Sequence, residues 1–470
     1  MDETIKGDSP ISNVVTFYHD IEQNIDVEAD PAKCRQMVKE FLKLEKKYGI
    51  TATYNIVGKL FQEQPDLIEW IRQEGHDIAF HAYGNYPDWG PEYYSSEVDL
   101  CRKVSAEPKG YRSPRSQWGQ NTLKSLWENG FLWDAESDKS TKPYFIYNGL
   151  VRLPIATDDW SLHINDMTVS EWINRFSELL KNRSYFGFGS HDCVASHAPE
   201  EQLKAWEKIL QIALENKVLL VTFSEAADLF RRMALSQYYS REAEDWNRRT
   251  KILYSTKRFQ EMIRNEAEKL TKPVVADLSS GGGVLAKHLR NIAKKIYCVD
   301  NVPGMVADVD ADSCIRACLG EVTDSNLPDD SIDLVICARI VEYLFWPDRL
   351  ADEIKRIGKI GATYFVTFPA SCGPIPSQEL SPPNRIRHYF TPDEIQKWAS
   401  QIGPGRLVGV QYESKEPNDP QTEQRYQEME KNPPKDICPT NWVYIGKVEN
   451  KNKSKNYRKT IPTTGLENCL

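Results

Sequence analysis

Apolar positions along this chain gather into short unbroken runs that alternate with longer stretches whose apolar residues recur at helical spacing. That is the pattern of strands buried on both faces and of the helices that cover them. The first run, residues 13–18, ends in the polar string His19-Asp-Ile-Glu22. Asp30-Pro31 then supplies a helix cap with proline in the first turn. Cys34, Met37, Val38, Phe41 and Leu42 share one face of the helix this predicts, Gly49 ends it, and residues 51–57 are again strand-like. The unit is β-α-β.

The alternation continues with helices near 64–74, 121–128, 169–181 and 200–215, and with strands at 77–80, 110–112, 150–153, 185–188 and 218–222. Repeated βα units predict an α/β fold, a parallel (β/α) barrel or doubly wound sheet, with chemistry at the carboxyl ends of its strands. Residues 231–272 are rich in charge and read as helices joining two halves. Strands at 274–277, 295–300, 332–336 and 363–368, separated by helical segments, predict an open, doubly wound sheet. Thr391-Pro-Asp-Glu394 has the form of a capping box, residues 413–436 read as a polar loop or insertion, and 441–445 as a last strand. The tail from 449, with Lys451, Lys453, Lys455, Arg458 and Lys459, reads as disordered.

A chain of 470 residues exceeds what one core supports. Domains at 1–235 and 236–448, with a basic tail at 449–470, are the expected division. A net charge of -9 argues against nucleic acid as the main partner. The ten cysteines are scattered, several of them in apolar runs such as those of Cys298 and Cys337, and read as reduced thiols. Cys314 and Cys318 have no second pair with which to make a zinc site, and Cys469 is misplaced for prenylation. The first residues lack a signal peptide's apolar core, and no window approaches about 18 consecutive apolar residues. A cytoplasmic, soluble protein without a membrane span is expected.

Six of the eight histidines precede residue 200. Asp20 and Glu22 alternate at a strand end and so point the same way, and His81 closes Gly75-His-Asp-Ile-Ala-Phe-His81. Carboxylates with an imidazole are able to hold a divalent metal and activate a water. Arg112 in Tyr111-Arg-Ser-Pro114, Asp158-Asp-Trp160 and His191-Asp192 each follow a predicted strand.

In order and spacing these segments resemble the motifs of the polysaccharide deacetylase superfamily, the NodB-type de-N-acetylases, over roughly residues 11–230. The resemblance implies a water activated by a divalent metal, zinc in the first instance, that attacks an amide carbonyl. It casts Asp20 as base, Glu22 and His81 with Asp20 as metal ligands, Arg112 as the cation orienting the base, and His191 as acid toward the leaving amine. Asp158 or Asp159 would tune that acid and Trp160 would line the sugar groove. The family's two adjacent first-motif aspartates leave a second alignment open, with His19 and Asp20 in their places. Its second metal histidine is replaced here by Asn85. His76 and His163 read as structural and His197 as solvated.

In the second half, Asp277-Leu-Ser-Ser-Gly-Gly-Gly283 follows an apolar strand and precedes a helix-like segment, the setting of a glycine-rich nucleotide loop. Asp300 ends the next strand, where a carboxylate accepts hydrogen bonds from an adenosine ribose. A nicotinamide dehydrogenase shares these features. The continuation Gly320-Glu321, residues 327–335 and Ile340-Val-Glu-Tyr-Leu344 instead resembles the class I S-adenosylmethionine-dependent methyltransferases over roughly 240–447. The resemblance implies S-adenosylmethionine held by Asp277, Ser279, Gly281, Gly283, Asp300 and Glu321, with Ser279 in place of the usual first glycine. Arg387 and His388 face either acceptor or solvent.

Together the halves predict a bifunctional glycan-modifying enzyme that deacylates an amino sugar and methylates the same or a related glycoconjugate. Other glycan-assembly enzymes are the expected partners. The alternatives are a methyltransferase whose barrel only binds sugar, or a scaffold without catalysis.

Overall fold

The computed structural model describes residues 13–23, 28–84, 94–371, 378–381, 385–452 and 461. The chain forms two compact units, divided between Met233 and Ala234. The first is built on β1 (Val14–Ile21), β2 (Thr53–Ile56), β3 (Asp77–Phe80), β4 (Gly110–Tyr111), β5 (Trp133–Ser137), β6 (Tyr144–Phe145), β7 (Val151–Thr157), β8 (Tyr185–His191) and β9 (Leu219–Leu220). Strands β1 to β5, β7 and β8 run parallel in sequence order. The sheet closes because β1 pairs with β8 along one edge and with β2 along the upper part of the other. β9 takes the rest of that edge at Val14 and Val15, and β6 is a short antiparallel flap on β7. The (β/α) barrel expected of this half is therefore a closed parallel one of seven strands.

All eight residues of β1 are buried because the strand has two apolar sides. Phe17 packs outward on Phe176 and Trp206 of the surrounding helices, while Tyr18 turns inward against Phe223. The interior is so full that glycine is required at two points. A Cβ at Gly110 would lie 1.8 Å from the Trp133 ring, and one at Gly189 would lie 2.4 Å from the Tyr18 ring. The helix Pro31–Tyr48 starts and stops where its sequence signals stand. Asp30 accepts from the Ala32 amide (2.9 Å), and Gly49 ends it in the left-handed conformation, φ 66°.

The second unit carries β10 (Val274–Leu278), β11 (Lys295–Asp300), β12 (Ile315–Leu319), β13 (Ile332–Cys337), β14 (Gly358–Pro369), β15 (Gln378–Ser381), β16 (Arg385–His388), β17 (Gly405–Val410) and β18 (Asn441–Lys447). Seven of them form one sheet in the order β12-β11-β10-β13-β14-β18-β17. Strands β10 to β14 are parallel, and β18 is antiparallel to both its neighbours. β15 and β16 pair with each other apart from it. Alternate residues of the same strands feed two apolar cores, Ala276, Leu278 and Val335 in one and Val275, Leu334 and Ile336 in the other. The sheet is thus covered on both faces, as the doubly wound, Rossmann-like pattern predicts. Its order reverses at β10, which makes the end of that strand the natural ligand crevice.

Four expectations need correction. The polar stretch 413–436 contains the helix Pro420–Lys431, whose cap is Asp419 accepting from Thr422 N at 2.8 Å; its high charge disguised an ordinary cap-and-proline start. The helix-like segment after the glycine loop is only the single turn Ala286–Leu289. The tail begins in contact with the sheet, since Lys451 pairs with Asp330 at 2.6 Å and Lys355 donates to the Asn452 carbonyl at 2.6 Å; residues 453–460 and 462–470 lie outside the described residues. Among the described residues seven cysteines are free thiols, but Cys438 is disulfide-bonded. Among the described residues no helix is long and apolar enough to cross a membrane.

Candidate functional site

The register of β1 decides what surrounds Asp20. Asp20 lies level with Asn55 of β2 on one side and His191 of β8 on the other. Asn55 Nδ2 donates to Asp20 Oδ1 at 2.7 Å, Arg112 Nε donates to Oδ2 at 2.8 Å, and His191 Nε2 stands 3.5 Å from Oδ2. All four side chains are buried. Burial alone would raise the Asp20 carboxyl, but Arg112, with His81 and His191 beyond it, holds it below the usual carboxylate range.

Arg112 is itself surrounded by acid. Nη1 lies 3.6 Å from Glu136 Oε2 and Nη2 lies 3.5 Å from Asp158 Oδ2, which also accepts from the Tyr18 hydroxyl at 3.2 Å. Glu136 further accepts from the Ser113 amide at 2.8 Å, and burial with Asp134 beside it pushes its carboxyl well up. The acid candidate is held as firmly. Asp159 Oδ1 accepts from both the backbone amide (3.0 Å) and Nδ1 (2.7 Å) of His191. Burial would lower the imidazole, but that bond and the charges of Asp158 and Asp20 hold it well above its ordinary value. Trp160 is half-buried with its ring 5.8 Å from that of His191.

Glu22 and His81 meet at 2.5 Å through Oε1 and Nε2, and His81 Nδ1 faces the Arg112 carbonyl at 3.0 Å. Burial would raise the Glu22 carboxyl, and His81 brings it down. Its other oxygen, Oε2, is buried without a hydrogen-bond partner, as a ligand atom awaiting a cation would be. Asp20, Glu22 and His191 each offer a donor atom, all within 4.8 Å of one another. The two carboxylates are hard donors that fit a divalent cation, whereas His191 is tied to Asp159 and protonated, and His81, the imidazole expected as ligand, reaches the group only through its contact with Glu22. The Asn85 position lies outside the described residues.

His19 does not share the pocket of Asp20. It points to the opposite face of β1, stacked on Phe41, with Nδ1 on Ser190 Oγ (2.7 Å) and Nε2 on Glu45 (2.7 Å). His76 joins the same buried cluster, 3.6 Å from Glu45. His163 is exposed rather than structural, its ring 5.1 Å from Trp160, and His197 is exposed with Nε2 on the Glu28 carbonyl at 2.9 Å. Two contributors escaped the sequence reading. Asn55 was signalled only as an amide inside an apolar strand, and Glu136 sits on a strand that periodicity did not reveal.

In the second unit, Ser279, Gly281 and Gly283 all adopt positive φ, 61°, 52° and 72°. Gly281 donates to Asp300 Oδ2 (2.9 Å), and the Val302 amide donates to Oδ1 (3.0 Å). Asn247, unremarked in the sequence, accepts from the Gly282 amide (3.0 Å) and donates to Asp308 (2.7 Å), which fixes the loop from the helix Phe223–Ile252. Burial brings the Asp300 carboxyl up to about 6 and Asp277 up to about 8. Asp277 is 1% exposed, and the Ala286 amide is the one group that lowers its carboxyl against burial and Asp300. Glu321 accepts from Asn301 Nδ2 at 3.2 Å. The buried acid Asp277, the glycine-rich loop and the carboxylate at the next strand end fit a nucleoside ligand that also brings a cationic group.

The barrel thus gathers buried carboxylates, a guanidinium and imidazoles at one end, and the sheet sets a glycine-rich loop beside two buried carboxylates. Comparison with known proteins gives the same division. Residues 21–132 match the polysaccharide deacetylase family model, and residues 276–366 match a methyltransferase domain model. The chain thus carries one segment similar to polysaccharide deacetylases and, after it, one similar to methyltransferase domains. A peptidoglycan-N-acetylglucosamine deacetylase from Bacillus cereus is 27% identical over 94 residues, 18% of this chain and 34% of that protein, so the match spans about a third of that relative. A protein from Mycobacterium smegmatis assigned as a polysaccharide deacetylase has 19% identity and a TM-score of 0.41, covering 47% of this chain and 91% of that one. A family 4 carbohydrate esterase pseudoenzyme from Bacillus anthracis has 10% identity and a TM-score of 0.34, covering 47% and 67%.

Proposed function

We propose that the chain is a bifunctional, cytosolic glycan-modifying enzyme. Residues 1–235 deacylate an N-acylated amino sugar, and residues 236–448 transfer a methyl group from S-adenosylmethionine to the same or a related glycoconjugate. The observation that carries the first activity is the pairing of an anionic Asp20, held by Arg112 and Asn55, with a cationic His191, held by Asp159, their facing atoms 3.5 Å apart. Base and acid are thereby kept in opposite protonation states in one site.

Asp20 takes a proton from the water that adds to the acyl carbon. His191 gives its Nε2 proton to the amine as the C–N bond breaks, so a carboxylic acid and a free amino sugar leave. Arg112 keeps the base ionised, and Trp160 offers a flat face to the sugar ring. Asp20, Glu22 and His81 are the residues to hold a divalent cation, zinc in the first instance, which would supply Lewis acidity toward the acyl carbonyl. In the second unit the glycine loop, Asp300, Glu321 and Asp277 would hold S-adenosylmethionine, which would supply an electrophilic methyl group, and the protein's task is alignment.

The test uses the full-length chain with N-acetylglucosamine oligomers and added zinc. Acetate release should be lost in Asp20→Asn while S-adenosylhomocysteine binding is kept. No release by the folded wild-type chain, with S-adenosylhomocysteine binding intact, would leave the barrel as a sugar-binding module of a methyltransferase.

A further inference from the structure

β13 ends one strand away from the glycine-rich loop, and the residues just past it tie loop and sheet together. Ala338 accepts through its carbonyl from the Ser279 hydroxyl (3.2 Å), and the Arg339 amide donates to Thr367 Oγ1 on β14 (3.0 Å). Arg339 is held at φ 61°, a conformation that residues with a Cβ seldom adopt. Such a backbone aims a side chain at the expense of local comfort.

The guanidinium so aimed has only neutral groups as direct hydrogen-bond partners, while Glu342 and Glu416 attract it without a hydrogen bond. Nη2 donates to Ser255 Oγ (3.0 Å) and Thr256 Oγ1 (2.8 Å), and the group lies 5.1 Å over the Phe259 ring. The two nearest acids are engaged elsewhere: Glu342 stands 3.8 Å from Arg387, and Glu416 accepts from the Tyr254 amide (2.7 Å) and Gln411 Nε2 (3.4 Å). Arginine carries five N–H groups in a planar fork, and among the described residues Nε and Nη1 have no acceptor. Burial, with Arg387 near enough to repel it, brings the group down to about 10, so it remains cationic at neutral pH. A half-buried guanidinium that hydrogen-bonds only hydroxyls, with its acids at a distance, keeps N–H groups free to meet an incoming anion. The carboxyl ends of β10, β13 and β14 are where a second ligand of such a sheet sits.

Resting on the methyltransferase reading above, we propose that Arg339 receives an oxyanion of the methyl acceptor, a carboxylate or phosphate borne by a sugar, and so fixes the acceptor beside the cofactor loop. The planar fork matches either anion through two parallel hydrogen bonds, and Arg387 adds positive charge on the same side of the site.

The test is calorimetric titration of the full-length chain, saturated with S-adenosylhomocysteine, against glucuronate, glucose 1-phosphate and glucose. One anionic sugar or both should bind and glucose should not, and the two anionic arms distinguish carboxylate from phosphate. Arg339→Gln should weaken that binding by about tenfold or more, and Arg339→Lys should restore part of it, because lysine keeps the charge without the fork. The inference is overturned if neither anion binds the wild-type complex better than glucose, or if Arg339→Gln binds them as tightly as wild type. Failure of the wild-type chain to bind S-adenosylhomocysteine would instead remove the methyltransferase reading beneath it.

Discussion

Replacing Glu45 by alanine strands a group of buried polar side chains in the barrel wall. Glu45 is 0% exposed and accepts from His19 Nε2 at 2.7 Å and from the Tyr54 hydroxyl at 2.7 Å, with His76 Nδ1 at 3.6 Å. Truncation leaves two buried donors unsatisfied, at about 1–3 kcal/mol each. The total matches the roughly 3–5 kcal/mol lost when one partner of a buried pair is removed. For a unit of this size that corresponds to a fall in melting temperature of about 10 °C. Trp206 reports it directly, because its ring lies 5.0 Å from His19, so tryptophan fluorescence during thermal or urea unfolding is the assay. The pH dependence has a definite sign. Burial would raise the Glu45 carboxyl, but His19, His76 and Tyr54 bring it below its ordinary value. Its stabilisation is therefore complete above about pH 4.3, the unfolded value, and is lost as pH falls through the lower folded one. The gap between wild type and Glu45→Ala should be widest near neutrality and close in acid. A variant that melts within about 2 °C of wild type, or a gap that widens in acid, would refute the reasoning.

Three further outcomes follow from the two sites. Asn55→Leu removes a charge-assisted bond to Asp20 worth about 1.5–3 kcal/mol, so deacylation should slow by about ten- to a hundredfold with the fold retained, and an unchanged rate would remove Asn55 from the site. Asp300→Ala should weaken S-adenosylhomocysteine binding by at least about tenfold, since it loses ribose acceptors and the Gly281 anchor together; unaltered affinity in calorimetry would remove Asp300 from the crevice. Asp277, brought up to about 8, is largely protonated at pH 7, and a cationic ligand group beside it should expel that proton. Binding enthalpies measured in buffers of different ionisation heat should show proton release near neutral pH, and their agreement would place the cationic group elsewhere.

Much of the barrel site was legible because its chemistry stands at strand ends. Asp20, His81, Arg112 and His191 each follow an apolar run, and the structure gathers them at one end of the barrel. The closure of the sheet was not legible, since pairing between β1, β8 and β2 is set by contacts far apart in sequence. Asn55 reaches Asp20 through that pairing alone, which is why nothing local marked it. His19 was within reach of a simple rule: adjacent strand residues point to opposite faces, so His19 and Asp20 could not both face the barrel interior. The strands β5, β12 and β17 were missed because acidic or short polar-flanked segments blurred the period. Asp419-Pro420 carried the same start signal as Asp30-Pro31 but lay in a stretch dominated by charge. The glycine loop was read correctly in place and wrongly in sequel, because Ala286–Leu289 makes one turn where an amphipathic helix was expected.

The measurement that bears most directly on the barrel as a hydrolase is the divalent metal content of the purified full-length chain, compared with the same chain carrying His81→Ala. His81 and Glu22 face each other at 2.5 Å with the second Glu22 oxygen unpartnered, so near-stoichiometric metal that is lost on substitution is the result this account predicts. Absence of metal from both chains, after added zinc and with tryptophan fluorescence showing the barrel folded, would contradict it.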